Sequence, residues 1–218
     1  MSENRSDNRL VIYGAGGHAK VVADIVRRGN RFELLGFLDD QRPERRGDAF
    51  CAATVLGGRE HLDVLRQQGV RQVIIAIGDG RARTTLAEVV RAHGFRLVAA
   101  IHPSAIIAED VVIGDGTVVA AGAVVNPGSR VGENAIINTC ASVDHDCAVD
   151  DGAHICPGVR LAGGVRVGRA ACVGIGAVII PNVRIGAGAV IGAGAVVLHD
   201  IPDNAVAYGV PAKVQKRA

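Results

Sequence analysis

A chain of 218 residues, 49% hydrophobic and 21% charged, is long enough to bury a core as one large or two small units. Its net charge is +2 with the signs intermixed and its aromatic content is 3%, which leaves neither the basic stripe nor the stacking surface of a nucleic-acid binder. Twenty-nine glycines without a period of three exclude a collagen-like chain, and no apolar run is long enough to span a membrane.

The opening segment MSENRSDNR is polar and lacks an apolar signal region, and the five cysteines form no CxxC pair. Both point to a soluble cytoplasmic protein with reduced thiols. From Leu10 to Ala100 short β-branched runs alternate with helical segments. Strands are expected at 10–13, 32–38, 72–77 and 96–100, and helices at 19–28, 59–67 and 81–93. This alternation predicts a small Rossmann-like parallel sheet with crossover helices over residues 1–100. The loop GAGGHA (14–19) lies between the first strand and helix and fits the GxGxxG/A dinucleotide fingerprint. About four strands are too few for a full dinucleotide fold, so a mononucleotide or nucleotide sugar is the better size match. Amides of Gly14, Gly16 and Gly17 would lie near phosphates, with Asp39 and Asp40 on ribose or base; a plain strand-to-helix turn is the alternative.

From Ile107 the period changes. Stepping by six through Ile113, Val119, Val125 and onward to Val197, every residue is aliphatic, and the residue two earlier is small or valine throughout. The residue after the aliphatic one is often Gly, Asn or Asp, which marks it as the corner. Such hexads predict a parallel β-helix over 101–200, three sides to an eighteen-residue coil, with the aliphatic residue inside. The 1–100 region would cap one end of this solenoid, and the tail 201–218 would cover the other.

The stretch NTCASVDHDCAVDDGAHIC (138–156) concentrates reactive residues. The hexad phase turns Val143, Val149 and Ile155 inward, puts Cys147 in a small core slot, and sends Cys140 and Cys156 in other directions, so these side chains cannot converge on a metal within one coil. Cys140 is the one plausible cysteine nucleophile. His145 falls outside the barrel near a corner, with Pro127 and Gly163 one coil to either side. A base beside a bare glycine amide suits acyl transfer. His154 is half a coil away on the opposite side, so the two histidines share a site only if a neighbouring subunit joins them.

The motifs YGAGGHAK (13–20), GFLDD (36–40), IAIGDG (75–80), DHD (144–146), His154 and YGVPAKV (208–214), together with the unbroken hexads, give a chain that resembles the left-handed β-helix acyltransferases. Within them it is similar to the subfamily that N-acetylates nucleotide-linked amino sugars or O-acetylates sialic acid. The resemblance implies a left-handed coil and a homotrimer with active sites between neighbouring β-helices. Acetyl-CoA would lie along the coils, the sugar nucleotide on the N-terminal domain, and no metal would be needed. His145 matches the general base, and Asp146 the acidic residue that supports it, often Glu. Asn138 matches a residue lining the amino sugar, while His154, Gly163, Ile175 and Ala193 fall to the acetyl-CoA side, with the Gly163 amide near the thioester. The implied activity is transfer of acetyl to the C4 amine of a UDP-, GDP- or dTDP-linked 4-amino-4,6-dideoxy sugar. Rival readings are a sialic-acid O-acetyltransferase, a non-catalytic nucleotide-sugar scaffold and a γ-type zinc hydratase.

Overall fold

The computed structural model describes residues 8–217. The first part runs β1 (Arg9–Tyr13), α1 (Gly17–Gly29), β2 (Glu33–Leu38), β3 (Ala49–Phe50), β4 (Ala53–Gly57), α2 (Leu62–Gln67), β5 (Gln72–Ile75), α3 (Gly80–Ala92) and β6 (Arg96–Leu97). The sheet order is β3-β4-β2-β1-β5-β6, parallel except for the short β3–β4 hairpin. That hairpin has no sequence forecast because Cys51 and Ala52 make its turn at positive φ, where Gly or Asn is the usual signal. Strand alternation divides the core. Val11, Tyr13, Val73 and Ile75 face α2 and α3, whereas Leu10, Ile12 and Ile74 face α1.

Residues 96–100 do not form one strand. Arg96–Leu97 closes the first sheet, and Ala100–Ile101 is already β7, the first rung of the solenoid. From β7 to β23 (Val196–Val197), two-residue strands recur every six residues and stack into three parallel sheets, each residue pairing with the one eighteen positions on, as Val118 with Ile136 and Val119 with Ile137. The aliphatic column is buried from Val119 to Val197, and the small column beside it fills the same core, Cys147 included. Corners sit later than the sequence pattern suggested. The left-handed residue is the third after the aliphatic one, and it recurs every six positions as Gly, Asn or an exception such as Cys140, Asp146 or Ala170.

The N-terminal region does not cap the end of the β-helix. It docks on the outer face of the sheet holding β7, β10 (Val118–Val119) and β13 (Ile136–Ile137), where Ala100, Val118, Ala120 and Ile136 share one core with α1. The physical reason lies in these outward residues, an unbroken apolar run over the first three coils of this face that His154 then interrupts. The joint is held by Arg83 of α3, fully buried, whose guanidinium donates to the carbonyl oxygens of Ile77, Gly78, Asn134, Gly152 and Ala153 at 2.6–3.4 Å. In the tail, β24 (Ala205–Gly209) extends the same sheet and β25 (Ala212–Arg217) folds back on it, with Ile201, Ala205 and Ala207 buried over the last coil.

Candidate active site

The loop after β1 opens a cleft of about 610 Å³ whose lining includes Gly14, Gly16, Gly17, Asp39 and Asp40. The glycines have different duties. Gly14, at φ +116°, has no room for a Cβ, which would sit 2.7 Å from the Ala76 carbonyl oxygen, and its amide donates to the Leu38 carbonyl. It therefore builds the turn, and the expectation of a phosphate on its amide is corrected. Gly16 and Gly17 face open space at the start of α1, whose first turn carries no acidic residue and no side-chain cap. Those free amides with the helix dipole suit an anion.

The two aspartates are not free acceptors. Asp40 takes the Tyr13 hydroxyl at 2.8 Å, the Arg59 side chain at 2.9 and 3.1 Å and the Arg59 amide at 2.7 Å. These partners outweigh the burial that opposes ionisation and hold the Asp40 carboxyl below the usual range, while burial and Asp40 push the Tyr13 phenol up. Asp39 is buried and accepts from the Gln41 amide and Arg42. Tyr13, Gln41, Arg42 and Arg59 thus join the cleft wall, and the sequence reading passed over them because single arginines on loops carry no pattern.

His145 and Asp146 lie on an exposed corner of the β-helix. Asp146 is the left-handed residue of that corner, φ +58°, a conformation Asp tolerates better than most residues. From there the short carboxylate reaches His145 Nδ1 at 2.8 Å. The hydrogen bond that Asp146 accepts from Nδ1, helped by the charge of Asp144, raises the imidazole above its ordinary value of 6.5. Asp144 is itself fixed by Asn126 and by the His145 amide, at 2.9 and 2.8 Å. With Nδ1 held by a carboxylate, the neutral ring keeps its proton there and turns a basic Nε2 outward.

Gly163 lies in the next coil against this ring. A Cβ there would stand 2.5 Å from His145 Nε2 and 2.6 Å from Cε1. In the same column, Pro127 and Pro181 have no N–H and the His145 amide is capped by Asp144, while among the described residues no acceptor takes the Gly163 amide. Gly163→Ala is expected to tilt the imidazole and lower kcat about 100-fold, the scale of one misplaced catalytic group, with an unchanged melting temperature. Steady-state kinetics beside thermal melting checks this.

His154 lies elsewhere, on β16 (His154–Ile155) under the Gly78 loop, with Nε2 3.1 Å from Asn138 Nδ2 and its ring 6.4 Å from that of His18. Burial, then the charge of Arg83, lowers the His154 imidazole to about 4; burial, then His154 and Arg83, does the same to His18. Both are neutral at physiological pH. Asn138 and His154 are thus brought together, whereas His145 occupies another corner of the prism. Ile175 and Ala193, exposed one coil apart, lie on the corner that follows the His154 sheet, the corner of Asn138 rather than that of His145.

Sheets, corners and cleft together define a two-part β-helix enzyme of the acyltransferase class. Residues 9–90 match the family model of the PglD N-terminal domain. Among solved structures, the chain is similar to the GDP-perosamine N-acetyltransferase of Caulobacter crescentus, solved with CoA and GDP-perosamine, at 45% identity and a TM-score of 0.90, covering 94% of this chain and 96% of that one. It is also similar to the acetyltransferase domain of PglB from Neisseria gonorrhoeae, at 38% identity and a TM-score of 0.89 over 96% and 100% of the two chains. WeeI from Acinetobacter baumannii shares 26% identity at a TM-score of 0.85, over 94% and 99%. No curated protein matches the chain. The chain belongs to the hexapeptide-repeat sugar acetyltransferases, with a left-handed parallel β-helix. Among the described residues no helix is long and apolar enough to cross a membrane.

Proposed function

We propose that the chain transfers acetyl from acetyl-CoA to the C4 amine of a nucleotide-linked 4-amino-4,6-dideoxy sugar, with GDP as the favoured nucleotide. The observation that carries the chemistry is the His145 imidazole, held by Asp146 at Nδ1 and lying with Nε2 over Gly163. The preference for GDP rests on the 45% identical relative solved with GDP-perosamine. Gly16, Gly17 and the start of α1 take the diphosphate, and the polar wall around Asp39 and Asp40 takes ribose and base, through its arginines and tyrosine as much as through its carboxylates.

In the proposed reaction the sugar amine attacks the thioester carbonyl directly. A C–N bond forms, the C–S bond breaks, and the proton leaving nitrogen passes to His145 Nε2 and on to the departing CoA sulfur. Asp146 supports the transient imidazolium, and the Gly163 amide donates to the oxygen as it gains charge. Asn138 and His154 line the acceptor and acetyl group, and Ile175 and Ala193 flank the pantetheine arm. His145 and His154 stand half a coil apart on one chain, so the reading requires a homotrimer in which a neighbour's corner completes each cleft. Exposed aliphatics on the coil faces, Ile106, Val112 and Val178 among them, support that packing. Residues 1–100 and 101–200 form the nucleotide and transfer domains, with 201–218 closing the coil, and the enzyme works in the cytoplasm.

CoA release by the purified protein across GDP-, UDP- and dTDP-linked 4-amino sugars and free sialic acid tests the assignment. Turnover with an amino-sugar nucleotide supports it, and turnover with sialic acid alone overturns it. The pH profile adds a signature. The base must be neutral, so kcat/KM rises with pH through the free-enzyme value of His145, above 6.5. Asp146→Asn replaces the carboxylate acceptor that raises it by a neutral amide, and the rising limb is expected to move to lower pH while the plateau falls.

A further inference from the structure

Eighteen-residue stacking brings together residues that lie apart in the sequence. His154 pairs with Cys172 across neighbouring coils, and Asn138 stands over Cys156 in the adjacent column. The Sγ atoms of Cys156 and Cys172 are 3.9 Å apart, and the donor atoms of His154, Cys156 and Cys172 all lie within 4.8 Å of one another. The dense stretch 138–156 supplies no cage within one coil, but the next coil contributes the missing thiol. We propose that His154, Cys156 and Cys172 form a binding site for a soft divalent cation of the zinc class, with its fourth position open to a cleft beside the Gly78–Arg81 loop.

The geometry is close to what such an ion requires. Tetrahedral zinc with bonds of about 2.3 Å to sulfur and about 2.0 Å to nitrogen places its ligand atoms roughly 3.5–3.8 Å apart. The two sulfurs are already at that spacing, and the widest gap has to contract by about 1 Å. The cleft of about 290 Å³ is lined by His154, Cys172, Gly78, Asp79, Gly80 and Arg81 among others, and leaves a side for water or a small anion. The charge balance also closes. Both thiols lose a proton on binding, so two thiolates offset the dication and the buried Arg83 guanidinium faces a neutral cluster. Sulfur and imidazole donors select zinc-class ions over magnesium or calcium.

Binding has a consequence that rests on the proposed acetyl transfer. Coordination takes one of the ring nitrogens that His154 directs to Asn138 and to the Gly78 backbone, so the cation withdraws a residue of the acceptor site and acts as an inhibitor. The site itself is tested without activity. Cobalt(II) is titrated into the intact chain under reducing conditions, followed by its visible bands and thiolate charge-transfer absorption. One ion per chain is expected, displaced by zinc(II) and untouched by magnesium. Cys156→Ser and Cys172→Ser are expected to weaken binding at least about 100-fold, at or above the upper end of what outer-shell partners contribute, whereas Cys140→Ser leaves it unchanged. Circular dichroism shows whether each variant stays folded. Absence of charge-transfer absorption, or full binding in both folded variants, overturns the site. Cobalt binding by a chain that acetylates no sugar would refute the acetyl-transfer reading and leave the site standing.

Discussion

Replacing His145 by alanine is expected to lower kcat for acetyl transfer about 100- to 10,000-fold, the range general-base catalysis contributes. The expectation follows from the isolation of this imidazole. Nδ1 is committed to Asp146 at 2.8 Å, and Nε2 is the basic atom over the Gly163 amide, which no acceptor takes among the described residues. The side chain is 62% exposed, so its loss removes little packing and the melting temperature should hold. CoA affinity by calorimetry should also hold, because the base acts on the acceptor. Loss of CoA binding together with turnover would make His145 a cofactor contact, and near-normal turnover would remove it from the mechanism.

The second large effect is on stability. Arg83→Met should keep much of the side-chain volume but remove the guanidinium from the carbonyls of Ile77, Gly78, Asn134 and Gly152, while Ala153 keeps the Ile136 amide. Several of these would be left buried without a partner at about 1–3 kcal/mol each, so a total loss of at least about 3 kcal/mol is expected by urea unfolding. Burial lowers the Arg83 guanidinium only to about 10, so it is charged at neutral pH and the interaction is charge-assisted. The same bonds hold the Gly78 loop against the coil carrying His154, and surviving folded protein should show a raised KM for the sugar nucleotide. A loss under about 1 kcal/mol would mean that relaxed backbone or water replaces the guanidinium.

The β-helix was legible because its core requires one aliphatic residue every six positions with nothing inserted, and that constraint is written directly in the order of residues. The adjacency of His145, Asp146 and Gly163 was legible for the same reason: a fixed coil length turns sequence separation into spatial neighbourhood. The same arithmetic puts Cys172 one coil from His154, outside the 138–156 stretch in which the reactive residues crowd. What stayed hidden depended on contacts without a period. Arg83 reads as a polar residue on an amphipathic helix, and only the docking of the two parts makes it a buried joint. Gly14 matched a phosphate loop by its letters, yet the approach of Ala76 and the bond to Leu38 make it a turn residue. The docking side is set by Val118 and Ile136, outward-facing apolar residues whose partner, α1, lies about a hundred residues away in the sequence.

The most direct test is to incubate the purified chain with acetyl-CoA and a GDP-linked 4-amino-4,6-dideoxy sugar and to analyse the product by mass spectrometry and NMR. One acetyl group on the C4 nitrogen, with one equivalent of CoA released, is the predicted result. No acetylated product with any nucleotide-linked amino sugar, or an acetyl ester on a sugar hydroxyl, would contradict the account.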